Sequence, residues 1–168
     1  VFLLGNGSYA PCIAGEPDTF DWPDLDERTA SALCYTSGTT GHPKGVLYDH
    51  RSTVLHSYGS ALVDVMGFSR SDCLLAVVPM FHANAWGLPY SVPMVGAKIV
   101  FPGPKMGDGA TLAALIQEER VTLALGVPTV WQNLLAYTRA HGIVLDSLAR
   151  VLTGGSACPL SVMDEFQE

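Results

Sequence analysis

Five short, almost continuously apolar runs, each closed by a Gly- or Pro-bearing turn and followed by a stretch of helical spacing, constrain this chain more than any other feature. They are 32–35, 74–78, 97–101, 121–125 and 148–152. A strand half-exposed to water alternates polar and apolar residues, whereas a strand apolar throughout is covered on both faces, as in a parallel sheet between two helical layers. Between the runs, Val54, Leu55, Tyr58, Ala61, Leu62, Val65 and Met66 recur at steps of three and four, predicting one apolar face of a helix over 51–66 that stops at Gly67. Further helices are expected over 85–95, interrupted by Pro, over 112–120, over 128–140 with Pro128 at its start, and from Leu160 to Glu168. The expected fold class is α/β, a mainly parallel sheet flanked by helices, built from residues 31–168 after an acidic lead-in of residues 1–30. Ligands of such sheets sit at the carboxyl ends of the strands.

Composition narrows the function. With 48% hydrophobic and 15% charged residues the chain is apolar for a globular protein, which excludes disordered, collagen-like and coiled-coil classes. Its net charge of −7 is concentrated in the lead-in, where six acids face only Arg28. The nine Lys and Arg are too few and too scattered to displace counterions from a nucleic acid, so no nucleic-acid partner is expected. Cys12, Cys34, Cys73 and Cys158 lack paired spacing, which argues against a zinc site or a disulfide framework and for a reducing, cytoplasmic setting. Residues 73–97 hold no Asp, Glu, Lys or Arg, long enough to span a bilayer. Pro79, Gly87, Pro89, Pro93 and Gly96 break it repeatedly, so soluble core is expected and no transmembrane segment. The start carries neither Met nor a basic flank and reads as neither initiator nor signal peptide.

The densest chemistry lies directly after the first run, in Thr36-Ser37-Gly38-Thr39-Thr40-Gly41-His42-Pro43-Lys44-Gly45. Glycines let several backbone N–H groups converge on one oxyanion, hydroxyls add donors without bulk, and Lys44 brings the compensating charge, a combination suited to a polyphosphate. The register is not that of the common P-loop, since Pro43 precedes Lys44 and Gly45 follows it. A plain Gly/Ser/Thr surface loop is the alternative.

The segment Tyr35–Gly45 resembles the phosphate-binding signature of the adenylate-forming (AMP-dependent synthetase/ligase) family, which includes acyl-CoA synthetases, luciferases and peptide-synthetase adenylation domains. The resemblance implies ATP held by this loop through Thr36, Ser37, Gly38, Thr39, Thr40, Gly41 and Lys44, with Thr36 near Mg²⁺ and Lys44 acting in catalysis.

A second segment, Pro79-Met80-Phe81-His82-Ala83-Asn84-Ala85-Trp86-Gly87, sets an imidazole, an amide and an indole among apolar residues. Apolar walls hold a hydrocarbon tail while a few polar groups orient a carboxylate. Taken alone, His82 also reads as a core histidine bonded to backbone, and Trp86 as core packing. The wording is most similar to bacterial medium- and long-chain fatty-acid CoA ligases, which implies His82 beside the substrate carboxylate and α-phosphate, with Ala83 and Trp86 at the mouth of an acyl channel. In Thr153-Gly154-Gly155-Ser156-Ala157-Cys158-Pro159 the small residues permit close backbone approach to a flat ligand, and the resemblance assigns Gly154, Gly155 and Ser156 to the border of the adenylate. Gly126-Val127-Pro128-Thr129 is similar to a turn lining the acyl site.

The implied activity is two-step: a carboxylate attacks the α-phosphorus of ATP to give an acyl-adenylate and pyrophosphate, and the thiol of CoA then takes the acyl group. The family's Thr-Glu motif, ribose-binding Asp, hinge and C-terminal domain have no counterpart here. The expectation is therefore the central part of the AMP-binding domain of a fatty-acid CoA ligase, inactive alone, with homodimerisation open to the full-length enzyme. Alternatives are a truncated, non-catalytic nucleotide-binding module, or a relative using an aryl or other acid, oxygen, or a carrier-protein thiol.

Overall fold

The computed structural model describes residues 11, 13–36 and 41–167. Four strands, β3 (Cys73–Ala76), β4 (Lys98–Val100), β5 (Leu123–Gly126) and β6 (Arg150–Thr153), form a parallel sheet in the order β4-β3-β5-β6. Before it come β1 (Ala30–Thr36) and β2 (Lys44–Asp49), an antiparallel pair. The helices are α1 (His50–Ala61), α2 (Leu88–Val95), α3 (Gly109–Glu119), α4 (Pro128–His141) and α5 (Leu160–Glu165).

Period-two alternation divides the core. Cys73, Leu75 and Val77 face α3, α4 and α5 in a cluster centred on the fully buried Trp131, Leu134 and Ile116. Leu74, Ala76 and Val78 face the opposite layer, meeting Leu88 and Val92 of α2. Every residue of β3 and β5 is buried, as expected of strands covered on both sides. Chain order explains the layers: β4 is added on one side of β3 and β5 on the other, and crossovers of one hand then put α2 and α3 on opposite faces. The reversal creates a crevice beyond the carboxyl ends of β3 and β5.

Two expectations are corrected. The run 32–35 is not a strand of the parallel sheet: β1 pairs antiparallel with β2, from Cys34 opposite Val46 to Thr36 opposite Lys44. Leu33 and Tyr35 are exposed while Cys34 is buried, the pattern of a one-sided strand too short to display its period. The helix over 51–66 ends at Ala61 with Leu62 extended, and its apolar stripe faces outward: Val54, Leu55, Tyr58 and Leu62 are exposed. Its buried residues are Ser57 and Ser60, whose hydroxyls donate to Thr53 O and His56 O at 2.8 Å each. Hydroxyls satisfied within their own helix can be buried, and small side chains let α1 lie close against α2.

The Asp49 carboxylate caps α1, accepting from Ser52 N at 2.6 Å. Hydrogen bonds from the Ser52 backbone and hydroxyl hold the Asp49 carboxyl below its usual range. No helix among the described residues is long and apolar enough to cross a membrane.

Candidate active site

Beyond β3, residues Ala83–Trp86 form a single turn in which Ala83, Asn84, Ala85 and Trp86 adopt φ of +46°, +50°, +48° and +56°. Four successive non-glycine residues in the left-handed region cost roughly 1–2 kcal/mol each. The helix expected over 85–95 is therefore a left-handed turn, closed by Gly87 at φ +77°, followed by the right-handed α2. Such strain persists only where the surroundings over-determine it, and it clusters at functional sites. Several contacts hold this turn. Ala85 is fully buried, Ala85 N donates to His82 O at 3.0 Å, and Gly87 N to Asn84 O at 3.0 Å. The buried Cys34 thiol donates to Asn84 Oδ1 at 2.8 Å, tying β1 to the turn. From α1, His56 Nε2 lies 3.0 Å from the carbonyl oxygen of Trp86.

The turn delivers His82 and Trp86 to a cavity of about 210 Å³ in the crevice beyond the sheet. Its walls come from every strand's carboxyl end: Val77 and Val78 after β3, Met106 and Gly107 after β4, Val127 and Val130 around the start of α4, and Gly155 after β6. His82 is exposed at its rim, so it is not a core histidine. Trp86 is half-buried and also lines a second cavity of about 500 Å³, bounded by Tyr48, Thr53, His56 and Tyr90.

Glycines let the third loop close on this cavity. A Cβ at Gly154 would come within 3.0 Å of Trp86 Cη2 and 3.2 Å of Cζ2, so the indole lies on bare backbone. Gly155 has φ +82° beside Val127 Cγ1. The exposed Ser156 and Ala83 sit next to these positions in the chain. Gly126 faces the Trp131 ring, where a Cβ would lie 2.9 Å from Cζ2.

Of the first-loop candidates, Thr36 ends β1 and Lys44 opens β2, and the two are cross-strand partners. Eight residues apart in sequence, they bracket the loop from opposite strands, and directly opposed cross-strand residues are neighbours. Gly41 has φ +84° and is exposed. Ser37, Gly38, Thr39 and Thr40 lie outside the described residues. Thus His82, Trp86 and Gly155 converge on one cavity, Gly154 backs the Trp86 ring, and Thr36 and Lys44 meet at one end of the β1–β2 pair.

The sequence marks the Asn84 amide but assigns no contact with the turn to Cys34 or His56, which grip it. The available signal was Gly87 directly after Trp86, since a glycine there marks close approach, here of the His56 imidazole.

Residues 8–168 match the AMP-binding enzyme family. The chain is 62% identical over 160 residues to the 3-methylmercaptopropionyl-CoA ligase of Ruegeria pomeroyi, covering 95% of this chain and 30% of that protein. It is 58% identical over 161 residues to the medium-chain-fatty-acid–CoA ligase of Ectopseudomonas oleovorans, covering 96% of this chain and 29% of that one. The chain thus spans about 30% of the length of these relatives. Among solved structures, the inhibitor-bound N-terminal domain of FACL13 from Mycobacterium tuberculosis superposes with a TM-score of 0.85 at 26% identity, covering 97% of this chain and 40% of that one. The α/β fold with its flanked parallel sheet is that of an acyl-CoA synthetase N-terminal domain, and the chain belongs to the AMP-binding enzyme family.

Proposed function

We propose that the chain supplies the acyl and phosphate sites of an AMP-forming acid–CoA ligase. The observation that carries this is the apolar cavity at the sheet's switch point, walled by Val77, Val78, Val127 and Val130 and rimmed by His82 and Trp86. An apolar tail enters it by burial, at about 0.8 kcal/mol per methylene, leaving its carboxylate at the polar rim.

In the first step a carboxylate oxygen bonds to the α-phosphorus of ATP while the bond to the β-phosphate oxygen breaks, releasing pyrophosphate. In the second, the thiol of CoA gives up its proton to solvent as its sulfur attacks the acyl carbonyl, and AMP departs with the electron pair of the broken C–O bond. Positioning and charge neutralisation dominate such chemistry. We assign Lys44 to the charge of the triphosphate and His82 to the reacting carboxylate and α-phosphate. Thr36 with residues 37–41 cradles the phosphates, Ala83 and Trp86 guard the acyl channel, and Gly154, Gly155 and Ser156 border the adenylate. Mg²⁺ carried on a nucleotide takes most of its oxygens from phosphate and water, needing few from protein. The Thr36 hydroxyl suits that demand, and no cluster of three or more His, Cys, Asp and Glu exists among the described residues to form a protein-only cage. When bound, the ion would neutralise the phosphate charge.

The acid we assign is one with a linear apolar tail, alkyl or thioether. This is the chemistry common to the names of the two close relatives, a medium-chain-fatty-acid ligase and a 3-methylmercaptopropionyl-CoA ligase. The free thiols of Cys34, Cys73 and Cys158 suit a reducing cytoplasm. The test is AMP and acyl-CoA formation by the encoded polypeptide with ATP, Mg²⁺, CoA and a panel of 3-methylmercaptopropionate, octanoate, palmitate, benzoate and amino acids. Turnover with the alkyl and thioether acids is expected. Turnover with amino acids alone, or with none of the panel, overturns the assignment.

A further inference from the structure

The left-handed turn carries Trp86 to its place, and the weak point of its geometry is the peptide between Trp86 and Gly87. Gly87 lacks a Cβ, so sterics resist rotation of that peptide little; its N–H side is held by Gly87 N donating to Asn84 O at 3.0 Å, and its carbonyl side lies outside the turn's own bonds. Rotation would swing the Trp86 carbonyl away and, by breaking the Gly87 N to Asn84 O bond, loosen the turn that seats the indole on Gly154. The observed conformation therefore needs a partner for that carbonyl. The partner is His56, one helix away and outside all three motif segments, with Nε2 at 3.0 Å from Trp86 O. A carbonyl oxygen only accepts, so Nε2 carries the proton and donates. Position 87 is matched to this contact: a Cβ there would lie 2.5 Å from His56 Cδ2 and 2.7 Å from Nε2. The imidazole is not core filler. It is exposed on α1 and borders the 500 Å³ cavity, whose lining holds no Asp or Glu to draw its N–H away; the Ser60 hydroxyl is farther from Nε2, at 3.5 Å.

We infer that His56 is a positioning residue that locks the Trp86–Gly87 peptide in its left-handed conformation and so fixes Trp86, and through the turn His82, at the acyl cavity. The inference rests on the ligase assignment for its kinetic consequence but not for its structural one. Because the bond from His56 acts on the turn that carries Trp86 and His82 to the 210 Å³ cavity, its loss should bear on the acid and spare the nucleotide.

The test compares His56→Ala, His56→Asn and His56→Gln in the encoded polypeptide. A Gln amide reaches about as far as Nε2, whereas Asn stops a bond short. His56→Ala and His56→Asn should raise the KM for the acid about tenfold, leave the KM for ATP within twofold and lower kcat less than they raise the acid's KM. His56→Gln should return the acid's KM to within threefold of wild type. Independently of turnover, amide hydrogen exchange in peptides covering residues 80–88 should accelerate about tenfold in the Ala and Asn variants and stay within threefold in the Gln variant. Should His56→Ala fail to fold, the Asn–Gln pair alone decides. Equal behaviour of Gln and Asn, or unchanged exchange in Ala and Asn, overturns the inference. If wild type turns over no acid, the ligase assignment falls, and exchange still decides the role of His56.

Discussion

One methyl group at position 154 would meet the Trp86 ring at 3.0–3.2 Å, closer than comfortable carbon–carbon contact. Because β6 and the following turn are backbone, the indole is the part that must move. Gly154→Ala should therefore raise the KM for the acid roughly three- to tenfold, about 1 kcal/mol, with a smaller change for ATP. Steady-state kinetics with each substrate varied in turn checks this, and equal changes in both constants would remove Trp86 from the acyl side. Lys44→Ala belongs to the other end of the site. It should raise the KM for ATP and slow pyrophosphate exchange by at least tenfold, the loss expected when a charged hydrogen bond to phosphate disappears; unchanged exchange would leave the strand-end lysine without a role. These residues were legible because hydroxyls, glycines and a lone lysine after a strand have few other uses. His56 was not legible: a histidine within a helix gives no sign of which carbonyl thirty residues later it will meet.

Helices and strands meet at a second polar cluster, at the amino ends of the strands and away from the cavity. Asp72 is 9% exposed and accepts from Arg150 Nη2 at 2.8 Å, Thr122 Oγ1 at 2.9 Å and Ser69 N at 2.9 Å, while Arg150 Nη1 donates to Met66 O at 3.0 Å. It thus ties the starts of β3, β5 and β6 to the end of the α1–β3 connection. Burial pushes the Asp72 carboxyl up, but hydrogen bonds from Arg150, Ser69 and Thr122 outweigh burial and hold it below the usual range. A carboxyl lowered on folding contributes stability that is complete well above its unfolded value of about 3.9 and is lost as pH falls through the folded one. Asp72→Asn should therefore destabilise by roughly 2 kcal/mol at pH 7. Thermal unfolding should show the gap from wild type narrowing below pH 4; a gap constant from pH 7 to pH 3 would mean that Asp72 acts through shape alone. At this scale the parallel sheet was legible because runs apolar on both faces suit little else. The β1–β2 pair was not, since Lys44–Asp49 carries Lys, Gly and Asp among its six residues and one apolar flank. Nor was the left-handed turn: Ala-Asn-Ala-Trp fits an ordinary helix by propensity, and only tertiary contacts impose the opposite hand.

Across the molecule, the parallel sheet is covered on both faces, whereas the outer face of the hairpin and of α1 is bare. Leu33 is 54%, Leu47 65%, Leu55 58% and Tyr58 62% exposed, with Leu33 directly opposite Leu47 across the β1–β2 ladder. The apolar stripe along 54–62 thus lies on a surface that nothing among the described residues covers. A helix stripe records that a face is buried and carries no record of what buries it. The relatives are long enough to supply such cover, since the chain spans about 30% of them. Exposed apolar side chains in such number favour association. The 168-residue chain produced by itself should bind an apolar dye and self-associate at micromolar concentration, and Leu47→Lys with Leu55→Lys should suppress both. In the encoded polypeptide the same pair should instead lower the unfolding midpoint if the face is buried there, because two charges would then be forced into an apolar contact at a cost of several kcal/mol. Light scattering on the isolated chain and thermal unfolding of the encoded one give the two readouts. A midpoint unmoved by the double substitution would mean that this face stays in water in the working protein.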